Sequence, residues 1–127
     1  MQYIKFQIAG IPYPKNKKRG NLDAPKKWTA DIIEQTKKLP RIKDACLLRV
    51  TFRLPPDKFP ADCPYGSDLD NLLKRLLDGL KETILCDAPG KDSCVVSLEA
   101  TKVLVKESPG ADIEIIPVQV SSGYHGK

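Results

Sequence analysis

Two aspartates separated by one residue, Asp68 and Asp70, stand just ahead of a leucine-rich run that carries Lys74 one turn further on. Paired carboxylates in such a place do one of two things. They cap a helix, whose first turn leaves backbone N–H groups unpaired and holds the positive end of the dipole. Or they bind a hard cation such as Mg2+, which takes oxygen ligands and keeps several waters, so that two or three carboxylates suffice. The first reading makes Ser67 and Asp70 a capping box, with aspartate for the usual glutamate, and makes Asp70 and Lys74 an exposed pair of about 0.2–0.5 kcal/mol. The second requires the two side chains to converge. Residues two apart point about 200° apart on a helix but to one side of an extended chain. Convergence therefore needs the chain extended through Asp68, with Asp70 as the cap. Lys74 could then set a positive charge beside a bound phosphate.

The element that must position these groups is an amphipathic helix. Leu69, Leu72, Leu73, Leu76, Leu77 and Leu80 recur at helical spacing, and Asp70, Lys74 and Asp78 share the opposite face. The pattern predicts a helix from 69 or 70 to 83. A first strand is expected at Tyr3–Ile8. It is followed by a Pro- and Gly-bounded loop, residues 12–20, that concentrates Lys15, Lys17, Lys18 and Arg19. Such a cluster suits phosphate contact, each cation displacing a counterion, and equally suits a solvated loop. A helix over about 24–38 starts at Asp23 and Pro25 and stops before Pro40. Trp28 on its apolar face is read as core rather than as a base-stacking platform. Residues 44–54 alternate as a second strand, closed by Pro55-Pro56. A long loop leads to Ser67. After the leucine helix, Asp92 opens a Val-rich strand, and Asp112–Val118 forms a last strand expected to pair antiparallel with it. The order β-α-β-α-β-β predicts an α+β fold: one domain, a mixed or antiparallel sheet of about four strands and two main helices. The domain is expected over residues 1–120, with a disordered tail at 121–127.

Composition narrows the function. The 127 residues carry a net charge of +5, but residues 1–60 hold 14 Lys and Arg against 5 acids, and residues 61–127 hold 7 against 11. A basic half beside an acidic half fits a polyanion held by one part and a cation held by the other. No long apolar run or export signal is seen, so a cytoplasmic protein with no membrane partner is expected. Cys46, Cys63, Cys86 and Cys94 lack zinc-ligand spacing and are read as reduced thiols. The single histidine, His125, lies in the tail, which argues against triad chemistry. No Gly-rich fingerprint for a nucleotide cofactor is present.

Residues 68–78, followed by Asp92 ahead of Val95-Val96 and by Lys102 downstream, resemble the RusA family of Holliday junction resolvases. The motif D-x-D-N-x-x-K falls on Asp68, Asp70, Asn71 and Lys74, with Asp78 in the next turns. Pro12, Pro14 and Asn16 after the first strand, and Pro-Pro-Asp at 55–57, look like the family too. The resemblance implies a RusA-like fold and an endodeoxyribonuclease that resolves four-way DNA junctions by paired symmetric nicks. It implies a homodimer on branched DNA and Mg2+ as cofactor, with Mn2+ able to substitute. It also implies catalytic Asp68, Asp70, Asp92 and Lys74, the three aspartates holding the metal, with Asp87 the substitute for Asp92. DNA contact is expected from Lys15, Asn16, Lys17, Lys18 and Arg19. The chain departs from the family in its longer, more acidic 57–67 loop and in splitting two usually adjacent acids into Asp87 and Asp92. Two other readings stay open from the residues alone: a non-catalytic nucleic-acid-binding protein whose acids only cap a helix, and a metal-dependent phosphohydrolase acting on small phosphate esters.

Overall fold

The computed structural model describes residues 3–15, 23–59, 61 and 64–119. Four strands, β1 (Ile4–Ala9), β2 (Cys46–Leu54), β3 (Val95–Leu104) and β4 (Gly110–Pro117), form a single mixed sheet in the order β1-β4-β2-β3. Two helices, α1 (Asp23–Thr36) and α2 (Leu69–Leu80), complete the α+β fold. The expected tail at 121–127 and residues 16–20 of the basic loop lie outside the described residues.

Strict alternation builds the sheet's covered face. Cys46, Leu48, Val50, Phe52 and Leu54 of β2 are all buried. Their neighbours across the register are Ile115, Ile113 and Ala111 of β4, which in turn face Ile4, Phe6 and Ile8 of β1. Trp28 and Ile32 of α1 and Leu72, Leu73, Leu76 and Leu80 of α2 pack into the same core. Trp28 is 1% exposed, so it is core and not a stacking platform. The two helices approach closely at Gly79, where a Cβ would sit 2.6 Å from Cγ2 of Ile32. A glycine inside a helix costs stability, and here it admits the neighbouring helix. The other face of the sheet is polar and laced with ion pairs, Arg49 to Glu99 and Glu114 and Arg53 to Asp112.

The expected hairpin between the last two strands is not formed. β4 lies between β1 and β2 and is antiparallel to both, while β3 runs parallel to β2 on the outer edge. Burial explains the arrangement. Ala111, Ile113 and Ile115 of β4 need neighbours on both sides, whereas most of β3 is exposed or half-exposed. The connection from 105 to 109 crosses the end of β2, where Arg53 donates a hydrogen bond to the Ser108 carbonyl. Helix boundaries also differ from expectation. α1 ends at Thr36 and α2 at Leu80, after which turns carry buried Ile84 and Leu85 toward the third strand. Asp92 does not open β3 but sits in a 3-10 turn, Lys91–Cys94, ahead of it.

Candidate active site

The start of α2 bears on the two readings of its acids. Asp68 is the N-cap, with φ −60° and ψ 133°, so the chain is extended through it. Its carbonyl accepts the first helical hydrogen bond, from the Leu72 amide at 3.1 Å. Its side chain makes no capping bond. The capping box of Ser67 and Asp70 is therefore absent, and the cap falls on Asp68 rather than Asp70. Asp70 follows in the first turn, exposed like Asp68. Among the described residues the side chains of Asp68, Asp70 and Lys74 have no hydrogen-bond or ion-pair partner, and the expected Asp70–Lys74 pair is not made. Among the described residues, two carboxylates at the positive end of one helix, and an ammonium group one turn further on, are thus left open.

The backbone leading into this end is pinned. Lys102 of β3 donates to the carbonyls of Tyr65 at 2.5 Å and Ser67 at 2.8 Å. Gly66 between them has φ +75°, and a Cβ there would meet the Lys58 carbonyl at 2.5 Å. Lys58 in turn lies over the Tyr13 ring, 3.8 Å from its centroid. The loop after β2 and the loop after β1 therefore meet beside the helix start.

The basic loop begins as a strap along α2. The Lys15 amide donates to the Asn71 carbonyl at 2.9 Å, and the Lys15 ammonium group pairs with Asp78 at 2.5 Å. Arg75 donates to the Pro14 carbonyl. Burial would push the Asp78 carboxyl up, but hydrogen bonds from Lys15 and Lys81 outweigh it and hold the group below the usual carboxylate range. Asn16, Lys17, Lys18 and Arg19 fall outside the described residues.

Asp92 lies elsewhere. Its carboxylate is 3.9 Å from the ammonium group of Lys81, at the C-terminal end of α2. From Asp70 to Lys81 the helix climbs about 16 Å at 1.5 Å per residue. Asp87 is at that same end, accepting a hydrogen bond from the Cys86 thiol at 3.6 Å. Among the described residues no group of three or more His, Cys, Asp or Glu side chains lies close enough to hold one metal ion. A single chain carries Asp68, Asp70 and Lys74 at one end of α2 and Asp92 at the other.

The family model of endodeoxyribonuclease RusA matches residues 22–116. The chain belongs to the RusA family. No curated protein matches it. Membership assigns the chain endodeoxyribonuclease chemistry of the Holliday-junction-resolving kind, and with it the binding of branched DNA. No helix among the described residues is long and apolar enough to cross a membrane.

Asp68, Asp70 and Lys74 are exposed at the start of α2, within reach of a bulky polyanion. Three surface cavities, around Arg49, around Trp28 and around Gln35, are lined by other residues than Asp68, Asp70 and Lys74. The carboxylate pair fits the donor set of a hard cation, since both are oxygen ligands with no competing partner among the described residues. Two contributors carried no sequence signal of their own. Arg75 flanks the leucine stripe as an ordinary surface arginine would, and Lys81 lies past the last leucine. Only the folded strap shows what they hold.

Proposed function

We propose that this protein is a Mg2+-dependent endonuclease that resolves four-way DNA junctions by paired nicks, acting as a homodimer. The observation that carries the reading is the pair of exposed carboxylates of Asp68 and Asp70 at the start of α2, with Lys74 one turn along, none of them partnered among the described residues. Asp68 and Asp70 would hold the ion. Bound there, Mg2+ supplies a water of lowered pKa and offsets charge on the phosphate. Lys74 sets a fixed positive charge where negative charge develops on the scissile phosphate or the leaving oxygen. The family resemblance implies 5′-phosphate and 3′-hydroxyl ends.

The third carboxylate is assigned to Asp92 of a second copy. Lys102, which pins Ser67 and hence Asp68, lies near the end of β3, whereas Asp92 precedes its start. That length of strand spans about 23 Å at 3.3 Å per residue. Antiparallel pairing of two copies along the free β3 edge would exchange those ends and set each Asp92 beside the other copy's Asp68 and Asp70. The edge suits it. Val96, Leu98 and Leu104 are 52%, 47% and 55% exposed. Leu98 and Leu104 pair with buried Leu48 and Leu54, so they continue the core face past the reach of the helices. A long apolar edge strand left uncovered is an aggregation hazard that proteins avoid. Two sites related by a two-fold axis match the symmetry of a four-way junction and yield paired nicks.

The deciding experiment incubates the protein with a labelled four-way junction, with and without Mg2+ or Mn2+, beside a linear duplex. Metal-dependent symmetric nicks in the junction are expected, and Asp70→Asn is expected to abolish them while junction binding persists. Bound, intact junction with every divalent ion would end the nuclease reading and leave a binding protein.

A further inference from the structure

Lys102 is an unusual lysine. It lies on an edge strand, where a lysine ordinarily extends its ammonium group into water and blunts the edge. Here it is only partly exposed, and its ammonium group is spent on two backbone carbonyls, those of Tyr65 and Ser67. Those carbonyls flank Gly66, whose left-handed φ of +75° turns the chain into the helix. The next residue is Asp68, extended at ψ 133°. A charged donor shared by two carbonyls is a strong restraint on such a turn.

We infer that Lys102 is the positioning residue of the Asp68–Asp70 cation site: it fixes the 65–67 turn so that Asp68 enters the helix extended, with its carboxylate free of the cap and turned to the cation. This rests on the metal-dependent nuclease reading above. Lys102 touches neither carboxylate in the described contacts and is not a catalytic residue. Its effect passes through the backbone, as the residues behind metal ligands commonly act by orienting them. It also links the site to β3, so the strand proposed to pair with a second copy is the one that holds the turn.

The test is Mn2+ binding to the full chain followed by electron paramagnetic resonance, with no DNA present. Melting temperature and junction binding in EDTA are measured on the same samples. Lys102→Met is expected to weaken Mn2+ binding by about tenfold or more, the range for residues that orient metal ligands. Melting temperature should fall by no more than the few degrees that lost charged hydrogen bonds cost, and metal-free junction binding should stay near the parent value. Lys102→Arg, which keeps donors for both carbonyls, should recover most of the Mn2+ affinity. If the Met variant does not fold, Lys102→Gln reads the same shift with a smaller perturbation. Unchanged Mn2+ affinity in a folded variant overturns the inference. So does a loss that the Arg variant fails to recover and that tracks melting temperature, since that is a purely structural role. Parent protein that neither binds Mn2+ nor cuts a junction would instead bring down the nuclease reading itself, a result distinct from either.

Discussion

The guanidinium group of Arg75 lies 3.0 Å from the Pro14 carbonyl and 3.0 Å from the Thr29 hydroxyl, so one side chain on α2 grips both flanks of the basic segment. It also reaches the Pro25 carbonyl at 3.4 Å, and Thr29 itself donates to that carbonyl. All of these contacts are part-buried. Replacing Arg75 by Met keeps the aliphatic stem and removes every donor. Hydrogen bonds from a charged donor contribute about 1.5–3 kcal/mol, so a loss of that order in unfolding free energy is expected. Denaturant unfolding checks it. The same variant should bind a four-way junction less tightly and with a flatter salt dependence, because the segment bearing Lys17, Lys18 and Arg19 loses its anchors. Reduced stability with an unchanged salt slope would show that the clamp serves the fold alone.

Lys15 of the basic loop is engaged in an ion pair with Asp78. A cation already matched by a carboxylate displaces little counterion when DNA binds, whereas each free phosphate contact adds about 0.9 to the slope of log K against log salt. Alanine at Lys17, Lys18 or Arg19 should each flatten the slope by roughly that amount. Alanine at Lys15 should leave the slope nearly unchanged. Binding isotherms over a range of salt separate the two, and an equal effect at Lys15 would mean that the pair opens on DNA.

The elements that could be read from the sequence are those whose signal is local. The leucine stripe of α2 and the alternation of β2 each bury one face, and periodicity reports that directly. The pairing of β3 and β4 could not be read the same way. A short link between strands favours a hairpin, but edge and centre positions are set by burial, and Leu98 and Leu104 alternate as well as Ile113 and Ile115 do. At the candidate site, Asp68, Asp70 and Lys74 could be picked out by their spacing, while the cap fell two residues before Asp70, on Asp68, because φ and ψ at a helix end depend on the chain leading into it, which spacing does not report. Asp92 could be matched to the family motif by its spacing to Val95-Val96. Nothing in that spacing tells whether it joins the acids of its own chain.

Gly79 should resist substitution despite its poor helix propensity. Alanine gains about 1 kcal/mol in an exposed helix interior. Here its Cβ would stand 2.6 Å from Ile32, a buried branched side chain with no room to withdraw. Overpacking of this kind costs about 1–3 kcal/mol, so Gly79→Ala is expected to be net destabilising. Thermal unfolding reads the sign. A stabilised variant would mean that the α1–α2 crossing yields readily.

The Cys46 thiol is pushed up to about 12, first by burial and then by the neighbouring Cys94. The folded state therefore keeps this proton where the unfolded chain, with an ordinary thiol near 9.0, gives it up. Between those values the unfolded chain binds fewer protons, so stability falls as pH rises, and below about 9 the effect vanishes. Denaturant midpoints measured from pH 8 upward should decline more steeply for the parent than for Cys46→Ala, although the variant starts lower. Parallel slopes would remove Cys46 as the cause.

Whether Asp92 serves its own chain or a second copy can be decided by mixing two inactive variants. Asp70→Asn and Asp92→Asn are each expected to be inactive as homodimers. In a mixed dimer with shared sites, one site combines both defects. The other combines the intact Asp68 and Asp70 of the Asp92→Asn chain with the intact Asp92 of the Asp70→Asn chain. One site is therefore restored, and a labelled junction should be nicked on one strand of the symmetric pair. If each chain builds its own site, both sites of the mixed dimer carry a defect and nothing is cut. The outcome bears on Lys81 as well. In the single chain its ammonium group rests 3.9 Å from Asp92 and 3.1 Å from Asp78. Placing Asp92 against the acids of a second copy would move its carboxylate to a new cation and leave Lys81 to Asp78 alone. Lys81→Met should then leave restored nicking in place, since Asp92 would no longer depend on it.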